Sequence, residues 1–214
     1  MKKTVILGAG GHSKVVIEVM RQQHNYELAA CVSSQGPTEI LGVPVVGDDR
    51  CLPELLNQGI DYAFVAIGNN RLRAQLVKQV KQMGFHLACV ISPQAIVATS
   101  STIAEGAVIM PGALIGTDAE VHSGSIVNSN ATIDHDCILK PFCHIAPGSA
   151  LAGGVTVGIE TFLGTGVSVI PYISIGDHSV VGAGSVVIRN VPDRTTTFGV
   201  PAHHQQTVSN NDEP

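Results

Sequence analysis

The chain has 214 residues, 44% of them apolar, yet it holds only 5 Phe, 3 Tyr and no Trp beside 23 Gly. That length suits one large or two small domains and buries a core without disulfide staples. A net charge of -5 with so few aromatics excludes a broad phosphate-binding surface and base-stacking platforms, and with them nucleic acid as a partner. The charge is unevenly split. Residues 1–90 carry nine Lys/Arg against seven Asp/Glu, whereas residues 91–214 carry three against ten. The five cysteines, Cys31, Cys51, Cys89, Cys137 and Cys143, form no CxxC pair and read as small apolar fillers of a reducing compartment. Met1-Lys2-Lys3 resembles the start of a signal peptide, but the apolar run Thr4–Leu7 is too short to be one. No stretch approaches the length of a membrane span. The expected location is the cytoplasm.

The first predicted element is a strand over Thr4–Leu7, followed by Gly8-Ala9-Gly10-Gly11-His12-Ser13 and a helix from about Lys14 to Gln22. A glycine-rich turn at a helix start brings backbone N–H groups to a phosphate. The dinucleotide fingerprint is incomplete. Ser13 stands at its third glycine, and the next predicted strand, Leu28–Val32, ends in Ser33-Ser34 with no acid to hold a ribose. NAD is therefore not expected, and the turn could equally serve to pack strand on helix. A helix over Leu52–Gln58, a strand over Tyr62–Ile67, a helix over Arg71–Gly84 and a strand over His86–Ile91 complete the alternation. Such alternation predicts a small parallel, Rossmann-like α/β domain over residues 1–90. Ligands lie at the carboxyl ends of such strands, so Gly8–Ser13 and Gly68–Arg73 should border one crevice. Lys14, Arg71 and Arg73 are its candidate cations, or else solvated surface charges.

From Ile91 onward every sixth residue is aliphatic, through Val127, Ile133, Leu139, Ile145 and Leu163 to Val187, without an insertion. Four positions after each stands a small or modest residue such as Ala107, Ser125, Cys143 or Ser149. A period of six fits no helical stripe. It fits short strands joined by tight corners, three to a coil of 18 residues, stacked at about 4.8 Å. The prediction is a parallel β-helix over residues 91–192, with a C-terminal extension and tail over 193–214. Uninterrupted hexads give flat walls and no deep cleft, so a small-molecule site needs a neighbouring wall, which predicts an oligomer.

Within the repeat, Asn128 to Cys137 reads N-S-N-A-T-I-D-H-D-C. His135 takes the third place of its hexad, near a corner and away from the inward Ile133, between two carboxylates. An imidazole titrates near neutral pH and suits a general base, and a carboxylate on its other nitrogen fixes the tautomer. An exposed turn histidine between acids is the plainer alternative. The β-helix histidines His122, His135, His144 and His178 lack the H-x-x-x-x-H spacing of trimeric zinc enzymes, so no metal is expected.

The hexads resemble those of the hexapeptide-repeat acyltransferases. The combination GAGGHSK, AIGNN and a following Arg, ahead of the hexads, resembles bacterial sugar acetyltransferases of the PglD type. NeuD-type sialic acid O-acetyltransferases and perosamine N-acetyltransferases share that architecture. The resemblance implies a left-handed β-helix and a homotrimer, although general crossover rules would favour the right hand. It also implies acetyl transfer from acetyl-CoA to the 4-amino group of a nucleotide-linked, expectedly UDP-linked, 4-amino-4,6-dideoxy sugar for glycan synthesis.

On that resemblance His135 is the base and Asp136 its orienter, with Asp134 the lesser partner. Asn128 lies near the sugar, and His144, Gly153, Thr165 and Ala183 contact acetyl-CoA, Gly153 by leaving room for the pantetheine arm. Gly8, Gly10, Gly11, His12, Gly68, Asn69, Asn70 and Arg73 hold the nucleotide sugar. Two departures stand out. Ser33-Ser34 replace the acids of the PglD type, and His203-His204 follow the Gly199-Val200-Pro201-Ala202 ending where a basic residue is usual. A non-catalytic nucleotide-sugar sensor is the third class. It would keep the front loop without needing a carboxylate beside His135.

Overall fold

The computed structural model describes residues 1–207, so the last seven residues of the 193–214 extension lie outside the described residues. The chain divides into two compact units, Met1–Pro93 and Gln94–Pro214. No helix among the described residues is long and apolar enough to cross a membrane.

In the first unit β1 (Lys2–Leu7), β2 (Tyr26–Val32), β5 (Tyr62–Val65) and β6 (His86–Leu87) form a parallel sheet in the order β2-β1-β5-β6. Ile6 pairs with Cys31 on one side and Phe64 on the other, and all three are buried. Helices α1 (Gly11–Gln23), α2 (Leu52–Asn57) and α3 (Asn70–Met83) join the strands. Burying Val16, Ile17, Val19 and Met20 of α1 and Val77 and Val80 of α3 contributes about 1.5–3 kcal/mol per large side chain.

Three local features depart from the predicted elements. Helix α1 starts at Gly11, because extended Gly10 serves as its N-cap and draws His12 and Ser13 into the first turn. Between β2 and α2 lies a small hairpin, β3 (Glu39–Ile40) with β4 (Val43–Pro44). It was not predicted, since two-residue strands show no period. The predicted strand His86–Ile91 is broken after β6 and resumes at Val90–Ile91. In the break the Tyr26 hydroxyl accepts from the Cys89 N–H at 3.1 Å and donates to the Cys89 carbonyl at 3.0 Å. These bonds replace the sheet ladder for that residue.

The second unit is a β-solenoid of two-residue strands recurring every six residues. Parallel pairing joins residues 18 apart, with Val127 against Ile145 and Ile145 against Leu163. The sixth-residue aliphatics from Ile109 to Val187 are 4% exposed or less. The small residues share that interior, and their hydroxyls donate to corner carbonyls, as Ser149 does to Gly164 at 2.9 Å. From Gly106 to Gly184 the fourth place of every hexad has positive φ, whether Gly (Gly148, +68°) or not (Asn130, +57°; Asp136, +58°). Asn, Asp and Gly tolerate that conformation best and hold most of these places, with Phe142, Glu160, Tyr172 and His178 the exceptions. Because the repeat is strict, a side chain at one corner stacks on the residue 18 places later. Thr195–Phe198 then pairs parallel to Val180–Val181 and antiparallel to His203–Thr207, with the Gly199–Ala202 ending at the reversal.

Candidate active site

The repeat sets His135 at a corner between Asp134 and Asp136. The His135 ring meets Asp136 Oδ2 at 2.7 Å through Nδ1, and Asp134 Oδ1 accepts the His135 backbone N–H at 2.8 Å. The two acids thus differ in role, one bonded to the ring and the other to the turn. Both members of the dyad face solvent, with the His135 side chain 52% exposed. The hydrogen bond to Asp136, then the charge of Asp134, raises the His135 pKa above its ordinary value. With Nδ1 donating to the carboxylate, the neutral ring carries its lone pair on Nε2, as a base requires.

Asn128 and His144 form a second pair. The Asn128 Oδ1 accepts from the Ser129 N–H at 2.9 Å, which turns the Asn128 NH2 toward His144 Nε2 at 3.3 Å. Nε2 is therefore the acceptor and Nδ1 carries the proton. Phe162, one coil beyond His144, packs its ring edge-on at 5.2 Å between centroids. Thr165 and Ala183 are exposed residues of successive coils, joined where Gly184 N donates to the Thr165 carbonyl at 2.8 Å. They belong to the corner column of Ser129. Gly153 belongs to the column of His135. The structure therefore sorts the β-helix candidates into two groups on different corners. His203 and His204 are exposed on the last described strand. Among the described residues no cluster of three or more His, Cys, Asp or Glu could hold a metal.

In the first unit Gly8 (φ +117°) brings the β1–α1 loop against the end of β5. A Cβ there would lie 2.9 Å from the Ala66 carbonyl oxygen and 3.1 Å from Ser13 Oγ. At Gly10, Gly11 and Gly68 a Cβ would meet nothing within 4 Å, so the rim is open. Arg73 is only 1% exposed, and it is not a solvated surface charge. Its Nη1 donates to the Ile67 and Gly68 carbonyls at 3.0 Å each, and its Nη2 donates to Asn70 Oδ1 at 2.8 Å. Asn69 caps α3 by accepting from Leu72 N at 2.7 Å. His12 Nε2 and Ser13 Oγ are buried without a hydrogen-bond partner. Burial, then the Arg73 charge, lowers the His12 pKa to about 4, so the ring is neutral at neutral pH. Gly8, Gly10, Gly11, His12, Gly68, Asn69, Asn70 and Arg73 are thus brought to two adjoining loops. After β2, the Ser33 hydroxyl donates to the Gln35 carbonyl at 2.6 Å. A Cβ on Gly36 would lie 3.4 Å from that of Ala9, so this loop borders the glycine-rich one.

Sequence reasoning placed Ser13 in the crevice loop without giving it a role, and it missed Phe162. Phe162 was findable from the 18-residue period, while Ser13 had no signal beyond standing at a missing glycine.

Residues 3–80 match the model of the PglD N-terminal domain family. PerB from Caulobacter crescentus, solved in complex with CoA and GDP-perosamine, is 46% identical. That match covers 95% of this chain and 97% of PerB, with a TM-score of 0.92. The acetyltransferase domain of PglB from Neisseria gonorrhoeae is 35% identical over 96% of this chain and 100% of that one, also with a TM-score of 0.92. It has also been solved with acetyl coenzyme A. The UDP-N-acetylbacillosamine N-acetyltransferase of Bacillus subtilis is 38% identical over 108 residues, 50% of each chain. A putative acetyltransferase of Saccharomyces cerevisiae matches over 30% of its length, so this chain spans half or less of these two curated relatives. A predicted α/β domain and β-helix, both present in the fold, thus accompany near-complete likeness to two solved acetyltransferases. The chain belongs to the PglD/NeuD-type hexapeptide-repeat sugar acetyltransferases.

Proposed function

We propose that the protein transfers the acetyl group of acetyl-CoA to the 4-amino group of a nucleotide-linked 4-amino-4,6-dideoxy sugar. The observation that carries this reading is the exposed His135 ring, held by Asp136 at 2.7 Å through Nδ1, which leaves the lone pair of the neutral ring on Nε2. Nε2 takes a proton from the sugar amine as the nitrogen attacks the thioester carbonyl. The resulting imidazolium, stabilised by Asp136, returns that proton to the departing CoA sulfur. The C–S bond breaks, the C–N bond forms, and the base is regenerated. Asn128 and His144 form a polar pair beside the acyl group, and Thr165 and Ala183 line the run of the CoA chain.

Two further parts of the reading have their own support. The His135 corner and the Asn128 corner stand at opposite ends of one six-residue side, on the order of 20 Å at the usual strand rise. Reacting atoms must approach to about 3–3.5 Å. A homotrimer, with His135 of one copy facing the Asn128–His144 edge of the next, brings the groups together. Sedimentation or light scattering should find a trimer, and a fully active monomer would refute this.

The acceptor is proposed to be GDP-linked rather than UDP-linked. Serines follow β2 where the PglD type has acids, and PerB, with GDP-perosamine bound, is 46% identical over nearly its whole length. The match to the B. subtilis enzyme keeps the UDP sugar as the second reading. A thiol-release assay with acetyl-CoA and GDP-perosamine, a UDP-4-amino sugar or sialic acid tests the choice. GDP-perosamine should give the highest kcat/KM. A preference for the UDP sugar changes the nucleotide only, and a preference for sialic acid refutes N-acetylation.

A further inference from the structure

We infer that Gly153 is a positioning residue, whose missing side chain is the seat on which the His135 imidazole lies. Gly153 stands one coil after His135. A Cβ there would fall on Cε1 and Nε2 of the ring, inside any distance that real Cβ atoms show, with Cδ2 at 3.1 Å. Nothing else at this corner requires glycine. Its φ lies outside the left-handed region, the turn itself being made by Gly154 at +71°. From Thr117 to Arg189 the third place of the hexad carries a side chain at every other corner, including Pro141, Ile159 and Thr165. The coil before His135 also approaches it closely, as neighbouring coils do at Gly158, Gly164 and Gly176 in the same hexad place. A Cβ on Gly116 would lie 2.7 Å from the Asp134 carbonyl carbon and 2.8 Å from His135 N. Gly116 thus meets only backbone, whereas Gly153 meets the His135 ring itself.

This inference rests on His135 being the base, and it gives Gly153 a different task from making room for the pantetheine arm. The backbone here is pinned independently, since Gly154 N donates to the His135 carbonyl at 2.9 Å. In Gly153→Ala the backbone is therefore expected to hold, and the half-exposed ring swings off its seat and away from Asp136. A displacement of about 1 Å costs on the order of 100-fold when a catalytic group is misplaced.

The test compares Gly153→Ala, His135→Ala and the double variant, each as the full chain with acetyl-CoA and the best acceptor. Gly153→Ala should lower kcat about 10- to 100-fold with KM for acetyl-CoA within about twofold. It should also move the acidic limb of the kcat–pH profile to lower pH, as the ring loses its carboxylate. In the His135→Ala background the same substitution should change nothing further. A raised KM for acetyl-CoA with unchanged kcat, or an undiminished Gly153→Ala effect in that background, overturns the positioning role. An unaffected His135→Ala single variant instead overturns the base itself. A folding failure of the variant is covered by the unaltered protein, in which the His135 Cε1 proton should show a nuclear Overhauser effect to the Gly153 α-protons. Its absence overturns the seat.

Discussion

The two units place reactive groups by opposite means. In the solenoid the interior is monotonous, and the candidate chemistry sits outside it on corners, where His135 is half exposed and its pKa is raised by a carboxylate. In the α/β unit the candidate groups are sunk into the fold. Arg73 is 1% exposed, and His12 is held neutral by burial. A repeat decouples site from core, since the sixth-residue aliphatics stabilise the coil whatever the corner carries. In the α/β unit the groups proposed to bind also hold the loops together, as Arg73 does through Ile67, Gly68 and Asn70. Substitutions at solenoid corners should therefore alter rate without altering stability, whereas those in the front crevice should rarely separate the two.

The largest effect expected is at His135. His135→Ala should lower kcat on the order of 100- to 10,000-fold, the usual worth of a general base. Its melting temperature should stay within a few degrees of the parent's, because the ring contributes nothing to the aliphatic core. Steady-state kinetics with differential scanning calorimetry checks both halves. A large fall in melting temperature would show that corner and core are coupled after all.

The next effect belongs to Gly10, a position on the open rim of the crevice where function should separate from stability. Gly10 is extended at the N-cap of α1, with open space where a Cβ would lie. Aspartate is a favoured N-cap, so Gly10→Asp should fold. Its charge would face the expected diphosphate. The KM for the nucleotide sugar should rise about 10- to 100-fold while that for acetyl-CoA holds, as repulsion of a few kcal/mol at close range implies. Initial rates with each substrate varied in turn measure the split. Equal rises in both constants would place the diphosphate elsewhere.

The same contrast explains what the sequence made legible. In the solenoid the hexad period assigns each residue a depth and a corner, so Ile133 inward and His135 outward followed from spacing alone. It could not say which acid meets the ring, because Asp134 and Asp136 are both neighbours, and rotamer and turn geometry decide between them. Nor could it show that Gly153 lies beneath His135 for want of space. In the front unit the strand–helix alternation was legible, but the burial of Arg73 was not. A lone arginine in the first turn of a helix reads as surface, and its compensation by the carbonyls of Ile67 and Gly68 and by Asn70 is a tertiary feature. The hairpin Glu39–Pro44 and the Tyr26–Cys89 bonds are tertiary choices with no local period.

A smaller effect should separate the units by pH. His12 has a pKa of about 4 in the folded protein against about 6.5 when unfolded. Well above pH 6.5 neither state is protonated. As pH falls from 6.5 toward 4 the unfolded chain takes up a proton that the folded ring refuses, so stability is lost. Between pH 7 and pH 5 the loss amounts to about 2 kcal/mol. His12→Gln should remove that part of the slope, while carboxylates common to both proteins cancel. Urea midpoints followed by near-UV circular dichroism of Tyr26 and Tyr62 report on the front unit. An unchanged slope in His12→Gln would mean that the ring titrates normally.

The smallest effect expected is at Asp136, where the solenoid permits a near-silent substitution. Asp136 has φ +58°, a conformation that asparagine adopts as readily as aspartate. Asp136→Asn should therefore keep the corner, and its amide oxygen can still accept from His135 Nδ1. What is lost is the negative charge. The His135 pKa, raised chiefly by this partner, should fall toward 6.5. The neutral base then persists to lower pH, so the acidic limb of the kcat–pH profile moves to lower pH. Above the limb the ring is neutral in both proteins, and kcat should drop only about 3- to 10-fold as the imidazolium loses its counter-charge. Asp134→Asn is the control. Its carboxylate bonds the His135 backbone N–H rather than the ring, so its shift should be the smaller of the two. A larger shift for Asp134→Asn would reverse the two acids' roles and would make the turn, rather than the 2.7 Å contact with Asp136, the source of the base's basicity.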